Sequence, residues 1–198
     1  MGGSEADTIR AILAGDVDRY AELVDRYRAA ALRLAFSFVG NYDDAKDIAQ
    51  ESFISAYQAL GRFRVEAKFS TWLFRIVVNK CKDSRRQRAH RPLVVAGVGE
   101  PEHDSEGSGT LFVDVDDPAA GPSAQLANRE LAQRLSQAIG RLPMKQRTAF
   151  LLHHVHGCSL EETAEMMGCR LGTVKAQVFR ATASLRDQLA PWVAQEGI

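Results

Sequence analysis

Residues 159–180 read SLEETAEMMGCRLGTVKAQVFR, and the fold follows from where that stretch must be cut. Ser159 and Glu162 have the spacing of a capping box, which satisfies two free backbone N–H groups at the start of a helix. Leu160, Ala164 and Met167 then recur at helical spacing and supply its buried face. Gly168 stands where the chain needs a residue tolerant of positive φ, so this helix ends there. After a short turn Thr173 can cap a second helix, with Val174, Val178, Ala181, Leu185 and Leu189 along one face. The small side chain of Ala164 lets the two helices cross closely. The product has the shape of a helix-turn-helix. Arg170, Thr173, Lys175, Ala176, Gln177 and Arg180 remain near or on its outward side. Short, polar or cationic side chains at the start of a recognition helix suit phosphate contact and base-edge reading.

Upstream of this motif the pattern stays helical. Leu131, Leu135, Ile139 and Leu142 make one face, stopped by Pro143, and Phe150 to Val155 continues in a helix ended by Gly157. In the N-terminal block, Tyr20, Leu23, Val24, Tyr27, Ala31, Leu34 and Phe38 recur at helical spacing up to Gly40-Asn41. Asp43 and Asp44 suit the first turn of the next helix, whose face runs Ala45, Ile48, Ala49, Phe53, Ala56 and Leu60 before Gly61. A loop from Arg62 to Lys68 leads to a third helix opening near Ser70-Thr71, with Phe69, Trp72, Leu73 and Ile76 on one side. No segment alternates with period two, so an all-α fold is expected.

The chain has 198 residues, 25 basic against 25 acidic, and the zero net charge hides a pattern. Residues 1–92 carry net +4, residues 93–122 net −7 and residues 123–198 net +3. The middle segment, Pro92 to Pro122, holds four of the six prolines and many glycines, and reads as a linker. Two small helical domains, 1–92 and 123–198, joined by a flexible acidic linker, 93–122, are therefore expected. Apolar residues make up 45% of the chain, yet no run approaches the roughly 18 to 20 residues of a membrane span. The polar start MGGSEADTIR is no secretory signal, and three dispersed cysteines, Cys81, Cys158 and Cys169, argue against a disulfide framework. A cytoplasmic protein without membrane insertion is expected.

The N-terminal block carries a second constellation. Lys80 to Arg91, KCKDSRRQRAHR, holds six basic residues against Asp83 alone. Cations of this kind track a phosphate backbone, and aromatics can stack on unpaired bases. Phe69 and Trp72 sit on the apolar face and read as core. Phe63, in a loop between two arginines, is the better candidate for touching a base, and the Asn79 amide suits a base edge. Asp43, Asp44, Asp47, Gln50 and Glu51 lie along one helix, either a solvated face or a protein-docking one.

Together, DDAKDIAQESFISAYQAL, FRVEAKFSTWLFRIVVNKCKDSRRQ and LPMKQRTAFLLHHVHGCSLEETAEMMGCRLGTVKAQVFRA resemble the successive signatures of bacterial sigma factors. The class they are most similar to is the small extracytoplasmic-function (ECF) one, which keeps only the second and fourth sigma domains. The resemblance implies several roles. Asp43, Asp44, Asp47, Gln50 and Glu51 would dock on the clamp helices of the largest subunit of core RNA polymerase. Arg62, Phe63, Lys68, Ser70, Asn79, Lys80, Lys82, Arg85, Arg86 and Arg88 would read and open the -10 element. Arg170, Thr173, Lys175, Ala176, Gln177, Phe179 and Arg180 would read the double-stranded -35 element. The linker would thread the polymerase channels, its acidity resembling that of RNA. The polymerase flap and an anti-sigma factor are implied as further partners. Where the family often has Ser-Arg in the recognition helix, this chain has Ala176-Gln177, which removes one cationic contact. The linker is also longer and more acidic than expected for the class.

Two other readings remain. A free-standing helix-turn-helix regulator would explain residues 123–198 but not the constellation from Phe63 to Arg91. A metal or redox site could draw on His153, His154, His156, Cys158 and Cys169. Adjacent helical residues such as His153 and His154 diverge by about 100°, however, and ligands must converge tetrahedrally. No Gly-rich phosphate loop, nucleophile elbow or paired carboxylates appear, so no catalysis, cofactor or metal is expected.

Overall fold

Short polar side chains and left-handed glycines set the helix boundaries. A computed structural model describes residues 4–64, 67–90 and 122–196, with side chains described outside 88–90, 122–129 and 193–196. Among the described residues there are helices and turns and no strand. The linker expected at 93–122 lies, but for Pro122, outside the described residues.

Helix α1, Glu5–Leu13, opens with a capping box: Ser4 Oγ accepts from the Asp7 N–H at 3.2 Å, and the Asp7 carboxylate accepts from the Ser4 N–H. The opening stretch, read only as polar, thus contains a helix. Helix α2, Tyr20–Val39, ends at Gly40, whose φ of 73° is the left-handed cap that glycine adopts without strain. Helix α3, Tyr42–Ala59, starts from Asn41, whose side chain accepts from the Asp44 N–H at 3.1 Å. It tightens into a 3-10 turn, Leu60–Arg62, so Gly61 lies within the turn instead of ending the helix. Helix α4 spans Phe69–His90. Then come α5, Pro122–Arg141, and α6, Met144–Phe150. A π turn, Leu151–Val155, extends α6 and lets the successive Leu151 and Leu152 both become fully buried. Helix α7, Leu160–Met167, has both halves of the Ser159–Glu162 capping box and ends at Gly168, φ 63°. Helix α8 spans Leu171–Glu196.

The chain divides into two compact units, Met1–Ser108 and Gly109–Ile198. In the first, α2, α3 and α4 pack pairwise on one another and α1 packs on α2. Phe69, Leu73, Val77 and Cys81 on α4, Leu34, Ala35 and Phe38 on α2, and Ala45, Ile48 and Phe53 on α3 are the buried apolar positions of these three packed helices. Each such large apolar side chain contributes about 1.5–3 kcal/mol on burial. In the second unit, α8 packs on α5, α6 and α7. Ile139 and Leu142 are core as expected, whereas Leu131 is 40% exposed; Ala132 and Ala138 take the inward positions on α5.

Glu5 ties the first unit together across a long stretch of chain. Its carboxylate accepts from the backbone N–H of Phe69 at 3.3 Å, at the start of α4, and from the Tyr27 hydroxyl on α2. A carboxylate at a helix N-terminus also meets the favourable end of the helix dipole. Burial, reinforced by the Glu5 carboxylate, pushes Tyr27 up to about 12. Burial does the same at Tyr20, also to about 12, where the hydroxyl donates to the Phe53 carbonyl at 2.7 Å. The folded state thus keeps protons that the unfolded chain releases near pH 10. This stability is complete below pH 10 and is lost as pH rises to about 12. An alkaline titration should show helix loss in step with late tyrosinate absorbance, and Tyr27→Phe should move the loss to higher pH. Ionisation of all four tyrosines near pH 10 with helicity intact would contradict this.

Candidate nucleic-acid and protein interfaces

The faces of each helix are fixed by which positions its neighbours bury. On α4 the buried line Phe69, Leu73, Val77 and Cys81 turns Arg75, Asn79, Arg85 and Arg86 outward, where all four are exposed. Lys82 is half-buried. The side chain of Arg88 lies outside the described residues. Arg75 sits one helical turn before Asn79 and shares its exposed side; a basic residue four positions upstream is the signal that reading from Lys80 onward misses. Arg62, Arg64 and Lys68, around the loop before α4, are exposed, and Ser70 in the first turn is half-buried. This gives one unit a cationic edge along α4 and the loop before it.

Phe63 is the loop aromatic expected to touch a base. It is only 7% exposed and does not project from the loop. Its ring meets Phe69 edge-on at 5.7 Å between centroids and Trp72, tilted, at 5.1 Å. Edge-to-face and tilted pairs of this kind are favourable beyond simple burial, and they hold Phe63 under the loop. Phe69 is fully buried, while Trp72, read as core, is half-buried.

Along α3 the inward positions Ala45, Ile48, Ala49, Ser52 and Phe53 leave Asp43, Asp47, Gln50 and Glu51 exposed, with Asp44 half-buried. Glu51 bonds Lys80 of α4 at 3.2 Å, so the expected docking face and the expected DNA face meet at this pair. An exposed ion pair is worth about 0–1 kcal/mol, so it positions more than it stabilises. Beside this face α2 and α3 form an apolar groove of about 900 Å³. Val17, Val24, Leu32, Phe53, Ile54 and Tyr57 line it, and Gln50 stands at its rim. Val17, Ile54 and Tyr57 are exposed, which sequence periodicity alone does not indicate.

In the second unit, Ala149, Ala164 and Val174 form a buried cluster, with Leu160, Met167 and Val178 packed on it. Burial of Val174, Ala181 and Leu185 fixes the outward face of α8. Arg170, Thr173, Lys175, Phe179 and Arg180 are exposed, and Ala176 and Gln177 are half-buried. Thr173 does not cap the helix. Its N–H donates to the Arg170 carbonyl at 2.9 Å, which places it in the first turn of a helix that begins two residues earlier. His153 Nδ1 bonds the Cys158 carbonyl at 2.8 Å and so braces the turn before α7. His154 packs on Phe150, with 5.0 Å between ring centroids. Among the described residues no three His, Cys, Asp or Glu side chains converge on a metal position. No helix among the described residues is long and apolar enough to cross a membrane.

Residues 23–91 match the family Sigma-70 region 2, and residues 132–185 match Sigma-70, region 4. The chain is 34% identical to the ECF RNA polymerase sigma factor SigW of Bacillus subtilis, over 91% of this chain and 94% of that protein. The solved structure of CnrH in complex with the cytosolic domain of CnrY has a TM-score of 0.68 at 24% identity, covering 96% of this chain and 99% of that one. The sigma factor RpoE in complex with the anti-sigma factor NepR, from Bartonella quintana, has a TM-score of 0.61 at 22% identity, covering 86% and 96%. These two likenesses are of fold.

Proposed function

The chain belongs to the ECF class of sigma-70 family RNA polymerase sigma factors, non-enzymatic subunits that direct the polymerase to promoters, and we propose the following division of labour among its residues. The observation that carries it is the outward face of α8: Lys175 and Arg180 stand exposed while Val174 and Ala181 are buried. Such a helix can enter the major groove of the -35 element with its cations on phosphates. Residues 123–198 form the -35-reading domain and residues 1–92 the core-binding and -10-reading domain, with 93–122 as the connector.

In the N-terminal domain the exposed acids and Gln50 of α3, with the apolar groove beside them, dock on the clamp helices of core polymerase. The α4 edge, Arg62, Lys68 and Ser70 through Asn79, Lys80, Lys82, Arg85, Arg86 and Arg88, follows the -10 strand. Arg64 and Arg75 join that set. Phe63 supports the loop from beneath. Extruding a base costs a few kcal/mol, and a stacking contact of about 1–3 kcal/mol offsets it. The half-buried Trp72 is the aromatic edge best placed to contribute. The flap is assigned to the C-terminal domain. An anti-sigma factor, the class of partner bound to RpoE of Bartonella quintana, would restrain the free protein by covering the α2–α3 groove. These roles put the protein in the cytoplasm.

Run-off transcription with core polymerase on a promoter library tests the reading. Transcripts from a subset sharing -10 and -35 elements are expected, and no promoter-dependent transcript would overturn it. In holoenzyme, Lys175→Ala and Arg180→Ala should each weaken binding to a fragment bearing the selected -35 element. Loss of one phosphate contact should lower the salt slope by about one. Unchanged affinity and slope would take both residues off the DNA.

A further inference from the structure

Aromatic rings and one carboxylate fix the two ends of the loop before α4. At the first end Phe63 is buried against Phe69 and Trp72. At the second, the Phe69 ring is fully buried, with centroids 5.6 Å from Tyr27 of α2 and 5.7 Å from Trp72. The rings hold position, and a hydrogen bond sets the direction of the backbone. The Phe69 N–H is one of those that a helix start leaves without a partner inside the helix. Glu5 Oε1, in the first turn of α1, accepts it at 3.3 Å. The other carboxylate oxygen accepts from the Tyr27 hydroxyl and lies 3.8 Å from Arg26 Nη1, so α2 holds Glu5 in turn. The Ser4–Asp7 capping box seats the turn that carries Glu5. Exposed Arg64 and Lys68 stand between the two anchors, and half-buried Ser70 and Trp72 lie just past the second.

We propose that Glu5 is a positioning residue for capture of the -10 strand. It touches no DNA. By holding the Phe69 N–H it sets the geometry at which Lys68, Ser70 and Trp72 meet the extruded base and its phosphates. This rests on the loop and α4 being the -10 reader. Helix α1 then serves promoter opening as well as bracing the bundle. A binding site whose supports move by about 1 Å loses function steeply, because its side chains no longer converge on one geometry.

The test uses holoenzyme and the promoter recovered by library transcription, well below the melting temperature of every variant. Three affinities are measured: for core, for a -35 duplex, and for a single strand bearing the selected -10 sequence. Glu5→Ala should bind the single strand about tenfold more weakly, the worth of one hydrogen bond to a charged group. Promoter opening should slow in step. Core and -35 affinities should stay as in wild type. Glu5→Gln, which keeps an acceptor for the Phe69 N–H, should restore most of the strand affinity. A role in stability alone would lower the melting temperature and leave the folded variant binding the strand normally. Ser4→Ala unseats the first turn of α1 and keeps Glu5, so it should show a smaller loss of the same kind; it carries the test if Glu5→Ala does not fold.

Wild-type strand affinity in folded Glu5→Ala, or in Ser4→Ala should the former not fold, would overturn the proposal. So would equal defects in Glu5→Ala and Glu5→Gln, or a loss shared equally by core and -35 binding. Replacing Arg64 and Lys68 together by alanine separates the two levels. If that leaves strand affinity unchanged, the -10 reading of the loop fails as well; if it weakens the strand while Glu5→Ala does not, the positioning inference fails alone.

Discussion

Replacing Phe63 by alanine is expected to cost the first unit about 3–5 kcal/mol, the range for truncating a buried aromatic. Promoter binding and promoter opening should fall together. The ring is 7% exposed and touches Phe69, itself fully buried, and Trp72. Truncation leaves a cavity under the loop and forfeits two aromatic pairs worth about 0.5–1.5 kcal/mol each beyond area burial. Domains of this size have about 5–15 kcal/mol in total, so a fifth of the margin or more goes. The melting temperature should drop by more than about 12 °C. Arg62→Ala and Arg64→Ala, at exposed neighbours, are the controls: melting unchanged, promoter affinity and its salt dependence reduced. A Phe63→Ala protein that melts like wild type and fails only in opening would return the ring to the DNA.

What was legible in the sequence is what local chemistry dictates. Ser159 with Glu162, Gly168 and Asn41 declare helix ends through hydrogen bonds or φ values that involve only nearby residues, and each does so in the structure. The apolar periodicities of α2, α3 and α4 likewise fix which side faces in. What was not legible depends on contacts between distant segments. Phe63 looks free because its flanking residues are arginines; the rings that cover it come from α4. Glu5 looks like one acid in a polar start, but it caps a helix that begins 64 residues later. Its own helix did carry a local sign, the Ser4–Asp7 box, which goes unnoticed when the opening is read only for a secretion signal. In the sequence Lys80 and Glu51 belong to separate faces, because sequence distance hides that α3 and α4 run side by side. The exposed half of the α2–α3 groove escapes for the same reason. Periodicity finds the buried stripe of each helix, and the groove forms from the apolar residues just beyond two such stripes.

Two carboxylates placed one residue apart on α8 should have opposite consequences. Val174 is fully buried in the cluster with Ala149 and Ala164. Val174→Asp removes about 1.5–3 kcal/mol of apolar burial and places an acid where nothing pairs with it. The acid stays neutral only at the cost of a raised pKa. The total should exceed about 4 kcal/mol, enough to unfold a marginal unit. Circular dichroism should show the helices of residues 109–198 lost, with those of the first unit kept. Dependence on the -35 element should vanish while core binding persists through α3. Because the introduced acid is destabilising when charged, lowering the pH should partly restore the unit. Thr173 stands one position earlier, exposed in the first turn. Thr173→Asp should leave melting unchanged or slightly raised, since an acid in the first turn favours the helix dipole. Its charge would face the phosphates, so -35 affinity should still fall, most steeply at low salt. If both variants melt alike, the burial pattern that orients α8 is wrong. If Thr173→Asp binds -35 DNA as wild type does, the outward face is not the one that meets the groove.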